Sequence, residues 1–352
     1  QTAALATLIA AGTAHDVAPL ADFATAANDP QVRAAAQNTL RLMTAAGTNQ
    51  AMIALLDQTE HLDPVLVQCA LARRAREFVP AFLKAARSPQ GTTRLEAFKA
   101  LQIMATGADL PALVGLLART APGAEREAAG RAVWMSCQQI REPAQRSAPL
   151  LAALEQADPA GQTALLPTLA RLGDPQALPA VHAAMQSSDQ ALRDAGYRAL
   201  ANWPDASVAH ELLEIAQTSA VESYRIWSLR AYARVVSLPN QRPPEQTLEM
   251  LKQAMALATR TEDQAFIVTR LSAVPSPATL SLLLSFVDHP QLGEVAIPAV
   301  FRLAKRLSQS HPDQARAALE KVRGLSQDPA MVDQIQRVLR DIAARQSPRE
   351  IP

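Results

Sequence analysis

Apolar residues recur at helical spacing along nearly the whole chain, most clearly from Gly173 to Asp205, GDPQALPAVHAAMQSSDQALRDAGYRALANWPD. Leu178, Val181 and Met185 fall on one side of a first predicted helix, and Leu192, Ala195, Gly196, Ala199 and Leu200 on one side of a second. The pattern returns about every 33 residues, which marks internal repeats. Each helix has a single apolar face that it cannot bury alone, so such pairs must stack on copies of themselves. The predicted fold class is therefore all-α, an α-solenoid with a right-handed superhelix of about ten helix pairs.

Prolines and arginines set the register. Pro19, Pro80, Pro111, Pro149 and Pro179 are each expected early in a first helix, where a missing N–H is tolerated. Some 14 or 15 residues further on come Arg33, Arg94, Arg126, Thr163 and Arg193. About two helical turns beyond those stand Leu40, Leu101, Val133, Ala170 and Leu200, on the same side of the second helix. Asp29-Pro30, Asp63-Pro64, Asp158-Pro159, His289-Pro290 and Asp328-Pro329 read as start signals for helices, a capping residue followed by a proline at the first position. The polar, proline-rich segment 237–246 reads as a long loop between repeats. The expected organisation is one solenoid over 1–345, opened by a leading helix of a truncated repeat (1–12), with a tail that frays (346–352). Gln1 is not an initiator methionine, so the chain is expected to begin either after processing or within a longer protein, and the opening QTAALATLIAAG, which looks like the closing helix of an earlier repeat, favours the second.

Hydrophobic residues make up 49% of the chain and aromatic ones only 4%, so Ala and Leu must fill the interior, which suits closely spaced helix pairs. With 34 basic against 33 acidic residues the net charge is +1, which argues against a nucleic-acid track or a membrane-surface protein. No apolar run approaches the roughly 18 residues of a membrane span, so a soluble protein, cytoplasmic or periplasmic, is expected. The register sets Cys69 and Cys137 two repeats apart, about 20 Å, whereas a disulfide needs Cα atoms within about 7 Å. Both are expected to be free and buried.

Helix pairs of this length, with a proline in the first helix and D-P-x-V-R-x-A-A at the start of the second (Asp29, Pro30, Val32, Arg33, Ala35, Ala36), resemble HEAT repeats. They look most like the short bacterial type also seen in relatives of phycobilisome lyases. LANWPDASVAHELLEIAQ is similar to HEAT regions of large bacterial proteins that carry sugar-processing or c-type haem domains elsewhere. The resemblance implies a binding scaffold, with the second helices lining its inner surface.

Motifs of catalysis are missing: there is no HExxH, phosphate-binding glycine loop, G-x-S-x-G or CxxC. HEAT-like iron hydroxylases place several His-Glu dipeptides on facing helices, and this chain has only His210-Glu211. A non-catalytic scaffold without cofactor or metal is the expectation. Its partner would be a protein or peptide, or another domain of the same polypeptide; a carbohydrate is the alternative.

The marker arginines Arg33, Arg94, Arg126, Arg193 and Arg225 read as an internal ladder, each reaching an acidic group such as Asp29. A second row, Lys99, Arg131, Arg198 and Arg230, lies about five residues later and points elsewhere around the helix. It is either an ordinary solvated face or a positive stripe on the inner surface. Trp134, Tyr197, Trp203, Tyr224, Trp227 and Tyr232 cluster mid-chain. Tyr224 and Trp227 fall in the core phase, whereas Tyr197 and Trp203 fall outside it. The candidate binding residues are therefore Lys99, Arg131, Tyr197, Arg198, Trp203 and Arg230.

Overall fold

A computed structural model describes residues 2–58 and 61–346. The tail expected to fray lies outside them, apart from Gln346, which closes the last helix. A leading helix, α1 (Thr2–Ala11), is followed by ten pairs. They are α2 (Val17–Ala26) with α3 (Pro30–Leu42), α4 (Thr48–Gln58) with α5 (Pro64–Arg73), α6 (Val79–Ala85) with α7 (Gly91–Met104), and α8 (Leu110–Leu117) with α9 (Ala124–Gln138). Next come α10 (Pro143–Gln156) with α11 (Pro159–Leu172), α12 (Leu178–Met185) with α13 (Gln190–Ala201), and α14 (Ala209–Thr218) with α15 (Glu222–Val236). The last three are α16 (Pro244–Leu257) with α17 (Thr261–Leu271), α18 (Pro277–Leu284) with α19 (Gly293–Leu307), and α20 (Pro312–Leu325) with α21 (Pro329–Gln346). Among the described residues there is no strand.

The helices form two compact units, Gln1–Gly196 and Tyr197–Pro352, and the boundary falls inside α13. In the first unit, first helices pack on first helices (α2 on α4, α4 on α6). Second helices pack on second helices there (α3 on α5, α5 on α7, α7 on α9, α9 on α11), and α1 packs on α3 in the same way. In the second unit α15 packs on α17 and α17 on α19, while α14 packs on α16. This is solenoid construction: each pair buries its apolar faces between its neighbours. The interior holds Leu20, Leu40, Leu101 and Leu113 with Phe78, Phe82 and Phe98 in the first unit, and Trp203, Tyr232, Leu251 and Val268 in the second.

Local signals start the helices. Asp29, Asp63 and Asp158 accept hydrogen bonds from the backbone N–H groups of Gln31, Val65 and Gly161, with Pro30, Pro64 and Pro159 in the first helical turn. Asp328 accepts from the Ala330 N–H in the same manner. His289-Pro290 departs from this rule: α19 begins at Gly293, after a turn in which Gln291 N–H donates to His289 Nδ1. Pro149 departs as well, because α10 begins a turn and a half earlier at Pro143 and leaves Pro149 inside the helix. Several first helices are led in by a 3₁₀ turn, at Ala14–Asp16, Arg76–Phe78, Gly107–Asp109, Pro175–Ala177 and Ala206–Val208.

The ladder of marker arginines exists, but its partners are carbonyls. Arg33, Arg94, Arg126, Arg193 and Arg225 each donate to the backbone oxygen six residues back, at Ala27, Ser88, Thr120, Ser187 and Ser219, over 2.5 to 2.8 Å. Those oxygens lie just past the ends of the first helices, where carbonyls lack intrahelical partners. A guanidinium carries five donors and no acceptor, so it suits this position better than a short polar side chain. Of the five, Arg94 also meets the expected acid, with Nε 2.6 Å from Glu125. The same six-residue reach is made by Arg146 to Ile140 and by Gln264 to Ala258.

Candidate functional site

The second unit gathers aromatic and cationic side chains on adjacent second helices. The Tyr197 ring, on α13, stacks on that of Tyr224, on α15, with centroids 3.7 Å apart and planes 15° from parallel. Trp227 stands one helical turn beyond Tyr224, its ring 5.6 Å away and tilted by 45°. Arg198 places its guanidinium carbon 4.2 Å over the Trp227 ring. Tyr224 is buried, Tyr197 and Trp227 are half-buried, and Arg198 is exposed. The cluster is thus rooted in the core through Tyr224 and reaches solvent through its other members.

This arrangement alters two readings of the aromatics. Trp203, a candidate contact, is fully buried, and its indole N–H donates to Ser207 Oγ at 3.1 Å. It lies just beyond α13, in the turn rather than on the helix, so the helical phase that placed it outside the core does not apply. Trp203 is a core residue. Trp227, expected in the core, is half-exposed instead, with Arg198 over its ring and Tyr224 beside it.

Arg230 is engaged structurally: its Nε lies 2.5 Å from Asp263 Oδ1 on α17, an aspartate with a side chain only 3% exposed. Arg260 Nε approaches the other oxygen of Asp263 at 3.9 Å. A buried carboxylate needs such partners. Lys99 and Arg131 belong to the first unit and are both exposed. Lys99 pairs with Glu96 of its own helix at 2.7 Å. Of the candidates, the structure brings together Tyr197 and Arg198 and joins Tyr224 and Trp227 to them.

One related pair escaped sequence reasoning. In the first unit Arg171 of α11 sits 3.9 Å over the ring of Trp134 on α9. The signal was present, a basic residue in the last turn of the next second helix, but the two side chains are 37 residues apart, a spacing that depends on how α9 and α11 pack. A further set of cations caps the repeats from behind. Arg73 Nη1 donates to the Leu40 and Met43 oxygens, Arg234 Nη2 to those of Ala201 and Trp203, and Arg306 Nη1 to that of Ala273. Burial lowers the pKa values of Arg73, Arg126 and Arg234, the last with help from the neighbouring Arg270 charge. Among the described residues no group of His, Cys, Asp and Glu is arranged to hold a metal ion.

Residues 147–233, which run from within α10 into α15 and include the aromatic cluster, match the family model of HEAT repeats. That segment is built as HEAT repeats. The arginine clamps of the matched segment, Arg193 and Arg225, recur outside it at Arg33, Arg94 and Arg126, so the same repeat unit extends well beyond the match. A crystal structure of an engineered protein is similar to this chain over 93% of its length and 99% of the engineered chain, at 18% identity and a TM-score of 0.33, which is too low to support an argument. No curated protein matches. No helix among the described residues is long and apolar enough to cross a membrane.

Proposed function

We propose that this chain is a non-catalytic HEAT-repeat scaffold that binds a protein or peptide partner, or another domain of its own polypeptide, through the exposed, concave face of its second helices. The observation that carries the reading is the half-exposed stack of Tyr197, Trp227 and Arg198 on α13 and α15. Burying apolar faces accounts for Tyr224, and capping the turns accounts for the marker arginines. Neither need explains an exposed guanidinium laid over a half-exposed indole. Aromatic and arginine side chains combine apolar area with directional donors, which is why they dominate contact energies at protein interfaces.

A carbohydrate-binding or enzyme-associated module within a larger bacterial sugar-processing protein is the alternative, and it would use the same aromatics. Stacking a sugar needs an open ring face, whereas Trp227 already has Arg198 over its ring and Tyr197 has Tyr224 against it. The geometry therefore favours a peptide. The test is a photo-crosslinking amino acid at the exposed position 202, four residues beyond Arg198, with capture compared between chains that carry it with Tyr197 and Arg198 intact and with Tyr197→Ala/Arg198→Ala. We expect the variant to lose the captured partner while its melting temperature falls by no more than a few degrees, about 1 to 2 kcal/mol. Unchanged capture by the variant places the contact elsewhere.

A further inference from the structure

Charge is segregated within the second unit. Beyond their first turns, α15, α17 and α19 carry no acidic residue, while Glu222, Glu262, Asp263 and Glu294 all stand in those first turns. The first helices α14 and α16 hold the opposite balance, with Glu211, Glu214, Glu245 and Glu249 against Lys252. The cations at the C-terminal ends of the second helices meet in space. Arg234 and Arg270 are close enough to repel one another. Arg302 Nε reaches Ser272 Oγ at 3.4 Å and Arg306 Nη1 reaches the Ala273 oxygen at 2.9 Å, both just past the end of α17, which carries Arg270.

Capping explains part of this charge, since helix C-termini favour cations and Arg234 and Arg306 each donate to carbonyls there. It does not explain Arg270, whose guanidinium carbon lies 4.7 Å over the Phe266 ring and whose Nε is buried without a hydrogen-bond partner, nor the exposed Lys305 beside Arg306. Cations gathered at one end of adjacent helices, with no carboxylate on those helices beyond their first turns, offer charge-assisted donors to a segment that supplies carboxylates.

We infer that this band, Arg234, Arg270, Arg302, Lys305 and Arg306 on α15, α17 and α19, docks an acidic peptide segment of the protein partner. The inference rests on the scaffold reading above and adds the partner's chemistry to it. Carboxylates of the segment complete the donors that carbonyls leave open, and its apolar side chains lie toward the Trp227 end. Nucleic acid fits less well. Its affinity grows with the number of phosphates neutralised, and here Arg234 and Arg306 already spend donors on the protein's own backbone.

The experiment uses the full chain and fluorescence anisotropy with three labelled probes. They are a synthetic peptide of about 20 residues alternating Glu or Asp with Leu and Tyr, the same peptide with every acid replaced by its amide, and a single-stranded DNA of about 20 nucleotides. We expect the acidic peptide to bind at least ~10-fold more tightly than its amide counterpart and than the DNA, and Arg302→Gln/Lys305→Gln to weaken it by ~10-fold with the thermal transition unchanged. Equal binding of the acidic and amide peptides, tighter binding of DNA, or indifference to the double substitution overturns the inference. A partner that is lost with Tyr197→Ala/Arg198→Ala yet keeps its affinity in Arg302→Gln/Lys305→Gln overturns the acidic docking alone and leaves the scaffold standing. A partner indifferent to Tyr197→Ala/Arg198→Ala removes the proposed contact on α13 and α15 itself.

Discussion

Arginine does two jobs in this chain, and the distance it reaches back decides which. Six residues back lies the turn of its own repeat, as in Arg126 Nε to the Thr120 oxygen at 2.8 Å; about 33 back lies the neighbouring repeat, as in Arg306 to Ala273. Each bond satisfies a carbonyl that a helix end leaves open, and a hydrogen bond from a charged donor is worth about 1.5 to 3 kcal/mol. Arg126→Ala should therefore lower the urea midpoint by the equivalent of about 1 to 3 kcal/mol, while Arg131→Ala, on the exposed side of the same helix, should change it by less than about 0.5 kcal/mol. The cysteines give a second prediction at this scale. Both are free and fully buried, and burial pushes each thiol up from 9.0 to about 11. A pKa raised on folding means that the unfolded chain releases protons more readily, so this contribution to stability is complete below pH 9 and is lost as pH rises toward 11. Iodoacetamide should leave both thiols unmodified at pH 8 in the native chain and alkylate both after denaturation without reductant, as read by mass spectrometry.

Helix ends carry much of the specificity at the scale of elements. Asp63 accepts from two backbone N–H groups, Val65 at 2.7 Å and Leu66 at 3.4 Å, and Pro64 supplies the first helical position. Asp63→Ala should cost about 0.5 to 2 kcal/mol, visible as a shift of the calorimetric transition. Two of the 3₁₀ lead-ins are held by capping boxes, Thr13 with Asp16 and Thr106 with Asp109, and Arg76 of the preceding repeat adds an ion pair to Asp109 at 2.8 Å. The packing of pairs has its own requirement. Gly196 lets α13 approach the end of α12 so closely that an added Cβ would sit 2.6 Å from the Met185 backbone nitrogen. Backbone cannot yield as a flexible side chain does, so Gly196→Ala should destabilise by about 1 to 3 kcal/mol despite its better helix propensity, and circular dichroism melts of the two chains test this.

Across the whole molecule, stability in a repeat protein is a sum of repeat terms and nearest-neighbour interfaces. Leu113→Ala, at a fully buried site in α8, should cost about 2 to 5 kcal/mol locally. Its effect on hydrogen exchange should be concentrated in the helices that α8 touches, α9, α10 and α11, and leave amides of α19 and α20 at native protection. Uniform deprotection of all repeats would show instead that the chain opens as one cooperative body. Charge too is organised above the level of single residues: a net charge of +1 conceals helices that are acid-rich and half-helices that hold only cations.

Helix pairs, their number, the leading helix and most of the caps were legible in the amino-acid order, because periodicity and capping are set by residues within a few positions of one another. Asp63-Pro64 starts α5 through bonds to residues two and three positions on, while His289-Pro290 fails to start α19 because a further turn intervenes. What the order did not show was where long side chains end. The marker arginines were spaced for a ladder, yet the path of the turn, which brings carbonyls rather than carboxylates within reach, chose their partners. Trp203 and Trp227 exchanged their expected places for a similar reason: exposure depends on how one repeat packs on the next, which closes fully around Trp203 and leaves Trp227 half-exposed beneath Arg198. Local spacing determines the elements; contacts between residues 27 to 37 apart, such as Tyr197 on Tyr224 and Arg171 on Trp134, come from the packing of one repeat on the next.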